Sequence, residues 1–373
     1  MSAFTVRPVR TKDDEKKFID FLYTHYRGDM NFAPPLRMDR EKLIDRKKNP
    51  FYKHADMELF IAERDGNVIG RIGGIVNYHH NKEHSDRVGF FGFFECVNEQ
   101  PVANALLDEA KKFIQSKGMD AFRGPANPSV NDEYGLLIEG FDSPATILMT
   151  YNPPYYATLL ENYGLKKVKD LFAWILSQET VYTDKIVRAN EIVKQRSGVS
   201  IRPINMKDFK NEVALLKQVY NSAWEKNWGA VPMTDAEFDF LAADLKQIVV
   251  PDLVLIAEQK GKVIGFGLSL PDINQALKYN RNGGLIGGLW HLFTKKKKID
   301  LVRIIVLGVI EEARNTGAAG LLFFETAVRA KKLGYKYGEA SWVLEDNVMM
   351  NRAAEAMQGK AYKKYRIYQM DIV

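Results

Sequence analysis

Short apolar runs and helical-period stretches alternate along the chain in an order that occurs twice. A short strand (Val6–Val9; Ile201–Ile204) leads into a helix whose second occurrence carries Phe209, Val213, Leu216 and Tyr220 on one face. Two apolar runs follow, split by a polar residue and glycine (Asp65-Gly66; Lys260-Gly261), the pattern of a β-hairpin. A central strand comes next (Val88–Cys96; Leu301–Val309) and then a helix. Its buried face is predicted as Val102, Leu106, Ala110 and Phe113 in one copy and Leu321, Phe324 and Val328 in the other. A further strand, a helix and a closing strand or pair complete each set. This order predicts a mixed α/β sheet with helices on both faces.

The two sets are an internal duplication. Ile61-Ala-Glu-Arg-Asp-Gly-Asn-Val-Ile-Gly70 returns as Ile256-Ala-Glu-Gln-Lys-Gly-Lys-Val-Ile-Gly265, an offset of 256 − 61 = 195. Val6-Arg7-Pro8 and Ile201-Arg202-Pro203 share it, as do Gly164 and Gly359. Lys117-Gly118 matches Leu333-Gly334 at 334 − 118 = 216, so the second copy holds about 21 extra residues (273–298) before that point. The first copy holds a similar excess after it (126–150). The expected domains are 1–180 and 199–373. They are joined across 181–198 by a helix carrying Ile186, Ala189 and Val193 at helical spacing.

Composition adds boundaries. The 373 residues are 46% hydrophobic and 27% charged, an ordinary globular balance with room for two cores. No apolar run is long enough to span a bilayer, and the N-terminus lacks a signal-peptide core, so a cytoplasmic chain is expected. Cys96 is the sole cysteine, which excludes an internal disulfide and a cysteine-rich zinc site; at the end of an apolar strand it is expected to be inert. The net charge of +6 mildly favours an anionic ligand, but no aromatic-basic stripe suggests nucleic acid. His79, His80 and His84 are placed in a connection between strands, not on a helix, and no metal is expected there.

The second copy reads Leu307-Gly-Val-Ile-Glu-Glu-Ala-Arg314-Asn-Thr-Gly317-Ala-Ala319-Gly-Leu-Leu322. A strand end, a turn and a helix opening on small residues leave free N–H groups at the positive end of the helix dipole, where a pyrophosphate can approach. Arg314 adds a cation suited to phosphate. This segment resembles the acetyl-CoA motif of the GNAT (GCN5-related N-acetyltransferase) superfamily, and Glu345-Asp-Asn347 resembles the family's downstream strand-to-helix junction. The resemblance implies two tandem GNAT-like α/β domains, each a mixed, mostly antiparallel sheet flanked by helices. It implies an acyl-CoA-dependent N-acyltransferase with acetyl-CoA or another acyl-CoA as co-substrate, no metal, and a small-molecule or peptide amine as acceptor. The implied cofactor contacts are Leu307, Val309, Arg314, Asn315, Thr316, Gly317, Ala318, Ala319, Gly320 and Asn347. In the first copy Asn98, Pro101 and Ala103 stand where Arg314, Gly317 and Ala319 stand in the second, so that copy is expected to keep the fold without the cofactor.

The family's proton-donor Tyr position falls on Ala354, leaving Tyr365 and then Tyr362 as candidates on the terminal strand, with Tyr368 beside them. Glu345, with Glu339 behind it, is the candidate base. Asp132 and Glu133, in the first-copy excess, are candidate ligands for a cationic amine. The second-copy excess, Gly283–Phe293 followed by Lys295–Lys298, reads as a cap on the domain interface, with a membrane contact through 283–298 as the lesser alternative. A non-catalytic CoA-binding protein and an aminoacyl transferase using tRNA are the competing functional readings.

Overall fold

The computed structural model describes residues 3–224 and 227–372. In chain order its elements are β1 (Thr5–Pro8), α1 (Lys12–His25), α2 (Arg37–Ile44), β2 (Ala55–Arg64), β3 (Asn67–Asn77), α3 (Tyr78–His84), β4 (Val88–Cys96), α4 (Gln100–Ser116), β5 (Ala121–Gly124), β6 (Ala126–Asn127), β7 (Glu133–Tyr134), β8 (Leu136–Glu139) and α5 (Tyr155–Asn162). Then follow β9 (Lys166–Ser177), α6 (Asp184–Ser197), β10 (Val199–Pro203), α7 (Phe209–Trp224), α8 (Asp235–Leu245), β11 (Val254–Gln259), β12 (Lys262–Pro271), α9 (Asn274–Leu277) and α10 (Leu285–Lys295). The chain ends with β13 (Leu301–Val309), α11 (Ala318–Lys332), β14 (Tyr337–Leu344), α12 (Val348–Ala356) and β15 (Lys360–Asp371).

The duplication is visible in matching detail. Asp65 and Gly66 have φ of 49° and 77°, and Lys260 and Gly261 have 51° and 73°. Two successive left-handed residues make the tight hairpin turn whose twist suits the flanking strands. Arg7 pairs across the strands with Ile61, and Arg202 with Ile256. Each arginine reaches the carboxylate two residues further along the partner strand: Arg7 Nε lies 2.6 Å from Glu63, and Arg202 Nε lies 2.8 Å from Glu258.

Although each repeat is contiguous in sequence, the compact units are not. The first comprises 1–170, 274–296 and 363–373; the second comprises 171–273 and 297–362. In the first unit β1–β4 form an antiparallel run and β5 lies parallel to β4. The C-terminal part of β15 then closes the sheet, with Tyr368 opposite Gly124 and Tyr365 opposite Leu137. In the second unit β10–β13 repeat the run and β14 is parallel to β13. There the closing strand is the second half of β9, with Ser177 opposite Tyr337 and Phe172 opposite Val343. Each repeat thus lends its last strand to the other unit.

The cores form where the hydrophobic periods meet. Val102, Leu106 and Ala110 of α4 pack with Phe91 and Phe122, and Tyr368 and Ile372 of the exchanged strand join them. Ile114 is the fully buried end of that face, with Phe113 only partly buried. On α11 the buried face is Leu322, Phe323, Thr326 and Ala330, with Leu321; Phe324 and Val328 lie at its margin, because two adjacent leucines turn the apolar arc. The expectation of no helix at the three histidines is corrected: α3 forms there because the Asn77 side chain accepts the amides of His79 and His80. Among the described residues no group of three His, Cys, Asp or Glu is placed to hold a metal.

Because 363–373 completes the first sheet, residues 1–180 expressed alone should lack cooperative thermal unfolding. Co-expression with 181–373 should restore a single sharp transition by circular dichroism; a stable, sharply melting 1–180 fragment would contradict the exchange.

Candidate functional site

In the second unit the parallel register of β13 and β14 runs from Leu301 opposite Tyr337 to Ile304 opposite Ala340 and stops. Beyond it β14 pairs only with β9, while a bulge at Ile305 on β13 sets Val306 against Leu268 and Ile304 against Ser269 of β12. The strands therefore fork. Ile305, Val306 and Leu307 are half-buried on a strand whose other residues are buried. A bulge re-aims the backbone at such a place and leaves ladder groups available to a ligand.

The turn at the end of β13 carries the anion-binding residues named from sequence. A 3₁₀ turn (Glu311–Thr316) precedes Gly317, which takes φ +82°. Thr316 Oγ1 donates to Ala313 O at 2.6 Å and accepts the Ala318 amide at 3.3 Å. The first helical bond of α11 runs from Leu321 N to Gly317 O. Ala319 and Gly320 are exposed ahead of it, Gly320 has open space where a Cβ would stand, and Arg314 is exposed beside them. Gly317 itself is covered: a Cβ there would meet Val193 of α6 at 2.5 Å. Ala318 is fully buried in the core with Val309. The exposed residues of the turn are thus Arg314, Asn315, Ala319 and Gly320, with Gly317 half-buried and Ala318 buried.

Next to the fork lies a buried polar cluster. Glu339 on β14 accepts Ser341 Oγ at 2.5 Å on one oxygen and Tyr362 OH on the other. Arg303 of β13 donates Nε to Ser341 Oγ at 2.9 Å, lies 3.9 Å from Glu339, and sits over the Trp342 ring at 5.4 Å. Two of the sequence candidates, Glu339 and Tyr362, are brought together. Others are not. Glu345 stands in the turn after β14, and Tyr365 is fully buried in the first unit. Asn347 caps α12, its side chain accepting the Met350 amide at 3.2 Å. Asp132 accepts Ser129 Oγ at 2.6 Å, and Glu133 is held by Arg40 at 2.6 Å and by Asn127 at 3.1 Å. Those two carboxylates stabilise their own loop and are not open to an amine.

Beneath α7 and α8 the second unit contains an apolar cleft of about 70 Å³, lined by Leu216, Phe238, Leu241, Ala242, Phe266, Leu268 and Val306 among others. Among the described residues Lys246 is the only charged one lining it. Val306 belongs to the fork, so the cleft reaches the bulged strand.

In the first unit the corresponding fork is closed. The parallel register of β4 and β5 ends at Phe90 and Arg123, and β6 enters the gap. Phe93 N donates to Asn127 Oδ1 at 2.5 Å, and a Cβ on Gly92 would fall 1.7 Å from Ala126 O. Helix α4 begins with Pro101 in its first turn after Glu99, which takes a two-point contact from Arg64 at 2.9 and 2.6 Å. A carboxylate at that place repels phosphate.

This unit instead buries a network that the sequence reading missed. Glu95, on the central strand, accepts Tyr26 OH at 2.7 Å and Tyr156 OH at 2.8 Å, with Arg71 at 3.6 Å. His25 Nε2 lies 2.9 Å from Tyr156 OH. The signal was a lone glutamate in an otherwise apolar strand, Val88–Cys96, and a Tyr155-Tyr156 pair opening a helix. Burial raises the Glu95 carboxyl, against the opposing pull of Arg71 and the two tyrosines. Burial, with Arg71 adding, lowers His25 to about 4. Burial pushes the Cys96 thiol up to about 12, which makes it a poor nucleophile. Removing one member of such a buried charge network costs about 3–5 kcal/mol.

The His25 shift has a definite sign. Unfolded histidine binds a proton near pH 6.5 and the folded ring only near pH 4, so stability falls as the pH drops through that window. His25→Asn should flatten that limb of a melting-temperature-versus-pH curve relative to wild type. An unchanged slope between pH 6.5 and 4 would show that the ring does not stay neutral.

No family model matches the chain. Protein YghO of Escherichia coli (strain K12) is 34% identical over 375 residues, covering 98% of this chain and 95% of the relative. A protein named bacterial ceramide synthase, from Caulobacter vibrioides (strain NA1000 / CB15N), is 34% identical over 374 residues, covering 98% and 97%. Among solved structures, a tandem GNAT protein from the clavulanic acid biosynthesis pathway superposes with a TM-score of 0.58 at 11% identity, covering 99% of this chain and 98% of that one. A GCN5-related N-acetyltransferase from Sphaerobacter thermophilus gives 0.52 at 12% identity, covering 99% and 95%. Full-length identity to the two bacterial proteins places this chain in their family, and the solved structures show that it has the tandem GNAT fold.

Proposed function

We propose that the protein is an acyl-CoA-dependent N-acyltransferase whose acyl group is a long apolar chain, with the working site in the second unit. The observation that carries this reading is the apolar cleft beneath α7 and α8, which begins at Val306 on the forked strand. Its lining is apolar apart from Lys246 and the Tyr220 hydroxyl, which suits an alkyl chain and offers nothing further to an acetyl group. A fatty chain starting at the fork would fill the cleft, with about 0.8 kcal/mol gained per buried methylene. The relative named bacterial ceramide synthase supports the same chemistry, since a ceramide is the amide of a fatty acid and a long-chain amine.

On this reading Arg314 and the exposed amides of Ala319 and Gly320 hold the pyrophosphate of the acyl-CoA at the start of α11. The amine nitrogen attacks the thioester carbonyl carbon and the carbon–sulfur bond breaks. Tyr362 supplies its phenolic proton to the departing sulfur and is reprotonated from the nitrogen. Glu339 positions Tyr362 by accepting its hydroxyl, and Ser341 and Arg303 hold Glu339 in place. A lysine-like amine with pKa near 10.4 needs about 4.6 kcal/mol to shed its proton at pH 7, so nitrogen deprotonation is a substantial part of the barrier.

Three measurements test this. Ala242→Phe, which fills the cleft, should lower kcat/KM at least about tenfold for long acyl-CoAs while sparing acetyl-CoA. If chain-length discrimination instead moves with the amine and not the acyl donor, the cleft holds the acceptor. Tyr362→Phe should lower kcat by about a hundredfold with KM little changed. In calorimetric titration, Gly320→Glu should abolish CoA binding without lowering the melting temperature, because its side chain has open space; undiminished CoA binding would remove the phosphate seat from this turn.

A further inference from the structure

Helix α10 is built inside out. Its 11 residues carry large apolar side chains on the solvent side: Leu285 is 48% exposed, Ile286 85%, Leu289 58%, Trp290 64% and Phe293 84%. At 100° per residue these five occupy an arc of roughly 140°, a complete apolar stripe. Glycines occupy the opposite side. A Cβ on Gly287 would meet Asn280 Oδ1 at 2.6 Å, and one on Gly288 would meet Leu36 at 2.7 Å. The small residues pack inward so that the large ones stand outward. An interface cap would bury this stripe, and it is not buried.

The display is held rigidly. Arg281 donates to Phe32 O at 3.0 Å and to Asp29 O at 2.5 Å. Arg37 bonds Gly283 O through its amide at 2.9 Å and Asn282 O through Nε at 2.7 Å. Buried Asn280 donates to Gly284 O at 2.9 Å. Within Asn274–Lys298 there is no Asp or Glu, and Lys295, Lys296, Lys297 and Lys298 follow the stripe directly. Lys295 Nζ and Lys278 Nζ both lie over the Tyr279 ring, at 4.2 and 5.6 Å.

We infer that α10 and the lysines after it form an interfacial docking surface for an anionic phospholipid bilayer. Indole, phenyl and branched aliphatic groups along one side of a helix enter the headgroup–acyl boundary, while adjacent lysines meet lipid phosphates. No described helix is long and apolar enough to cross a membrane, so the helix lies in the surface plane. A protein partner or a second copy could cover an apolar stripe, but neither accounts for four consecutive lysines ending the stretch Asn274–Lys298, which holds no Asp or Glu. This inference stands apart from the catalytic reading, since it requires neither CoA nor turnover.

The test is co-sedimentation of the full chain with vesicles of phosphatidylcholine alone or mixed with phosphatidylglycerol. Wild type should partition at least about tenfold more strongly onto the anionic vesicles, weakening with added salt. Replacing Lys295–Lys298 together by Gln should lower that partitioning by about a hundredfold. The double variant Ile286→Asp/Phe293→Asp should abolish it with an unchanged melting temperature, since both side chains already face water. Trp290 emission should shift to the blue on anionic vesicles, and Trp290→Phe should lose that shift. Absence of vesicle binding by a folded wild type overturns the inference. So does equal binding to neutral vesicles, or a dimer in sedimentation velocity that the double variant dissolves while vesicle binding is absent.

Discussion

In each unit the run of strands ends on a strand that the other repeat supplies. A sheet whose last strand is missing presents a row of unpaired backbone groups, and the helix packed on it loses part of its core. Here Tyr368 and Ile372, near the very end of the chain, complete the hydrophobic cluster around α4. Trp174 and Leu176, from the first repeat, complete the one that contains Phe323 and Val343. Neither repeat is therefore an independent folding unit, although each carries the full set of elements. The contacts that close the units span from 337 − 177 = 160 to 371 − 121 = 250 residues, which makes the architecture dependent on non-local pairing.

Within that frame the same bulged, forking strand pair has two outcomes. In the first unit a two-residue strand enters the fork, an asparagine side chain takes the amide that the bulge frees, and a glutamate stands before the next helix. In the second unit the fork stays open, the following helix begins on alanine and glycine, and an apolar cleft leads away beneath two helices. Duplication left one copy free to become scaffold. The buried Glu95–Tyr26–Tyr156–His25 network fits that role: its hydroxyls and ring tie the end of the central strand to α1 and α5. The other copy keeps a helix start at which Ala319 and Gly320 are exposed. The difference lies in one inserted segment and a few side chains, not in the sheet.

Two apolar features stand out in this chain. One is inward, the cleft lined by Leu216, Phe238, Phe266 and Val306. The other is outward, the α10 stripe. Both present apolar surface in a form that an alkyl chain could meet. The insertion that carries α10 packs with the first unit, whereas the cleft belongs to the second.

Much of this was legible in the residues. The fixed offset of 195 exposed the duplication, the hairpin turns at Asp65-Gly66 and Lys260-Gly261 followed from their types, and the small residues after Thr316 marked a helix start able to face an anion. These are local properties, written in period, turn chemistry and side-chain size, and they survive without knowledge of neighbours. What lay beyond reach was everything decided by distant partners. The offset could not reveal that the last strands are exchanged, because period-2 alternation reads the same whichever sheet a strand joins. Gly317 looked open until Val193 of α6 was found over it, and Asp132 and Glu133 looked available until Ser129, Arg40 and Asn127 were found to hold them. The same holds for Ile286 and Phe293: apolar residues on a helix predict burial, and only the packed structure shows glycines turned inward and the large side chains left facing water.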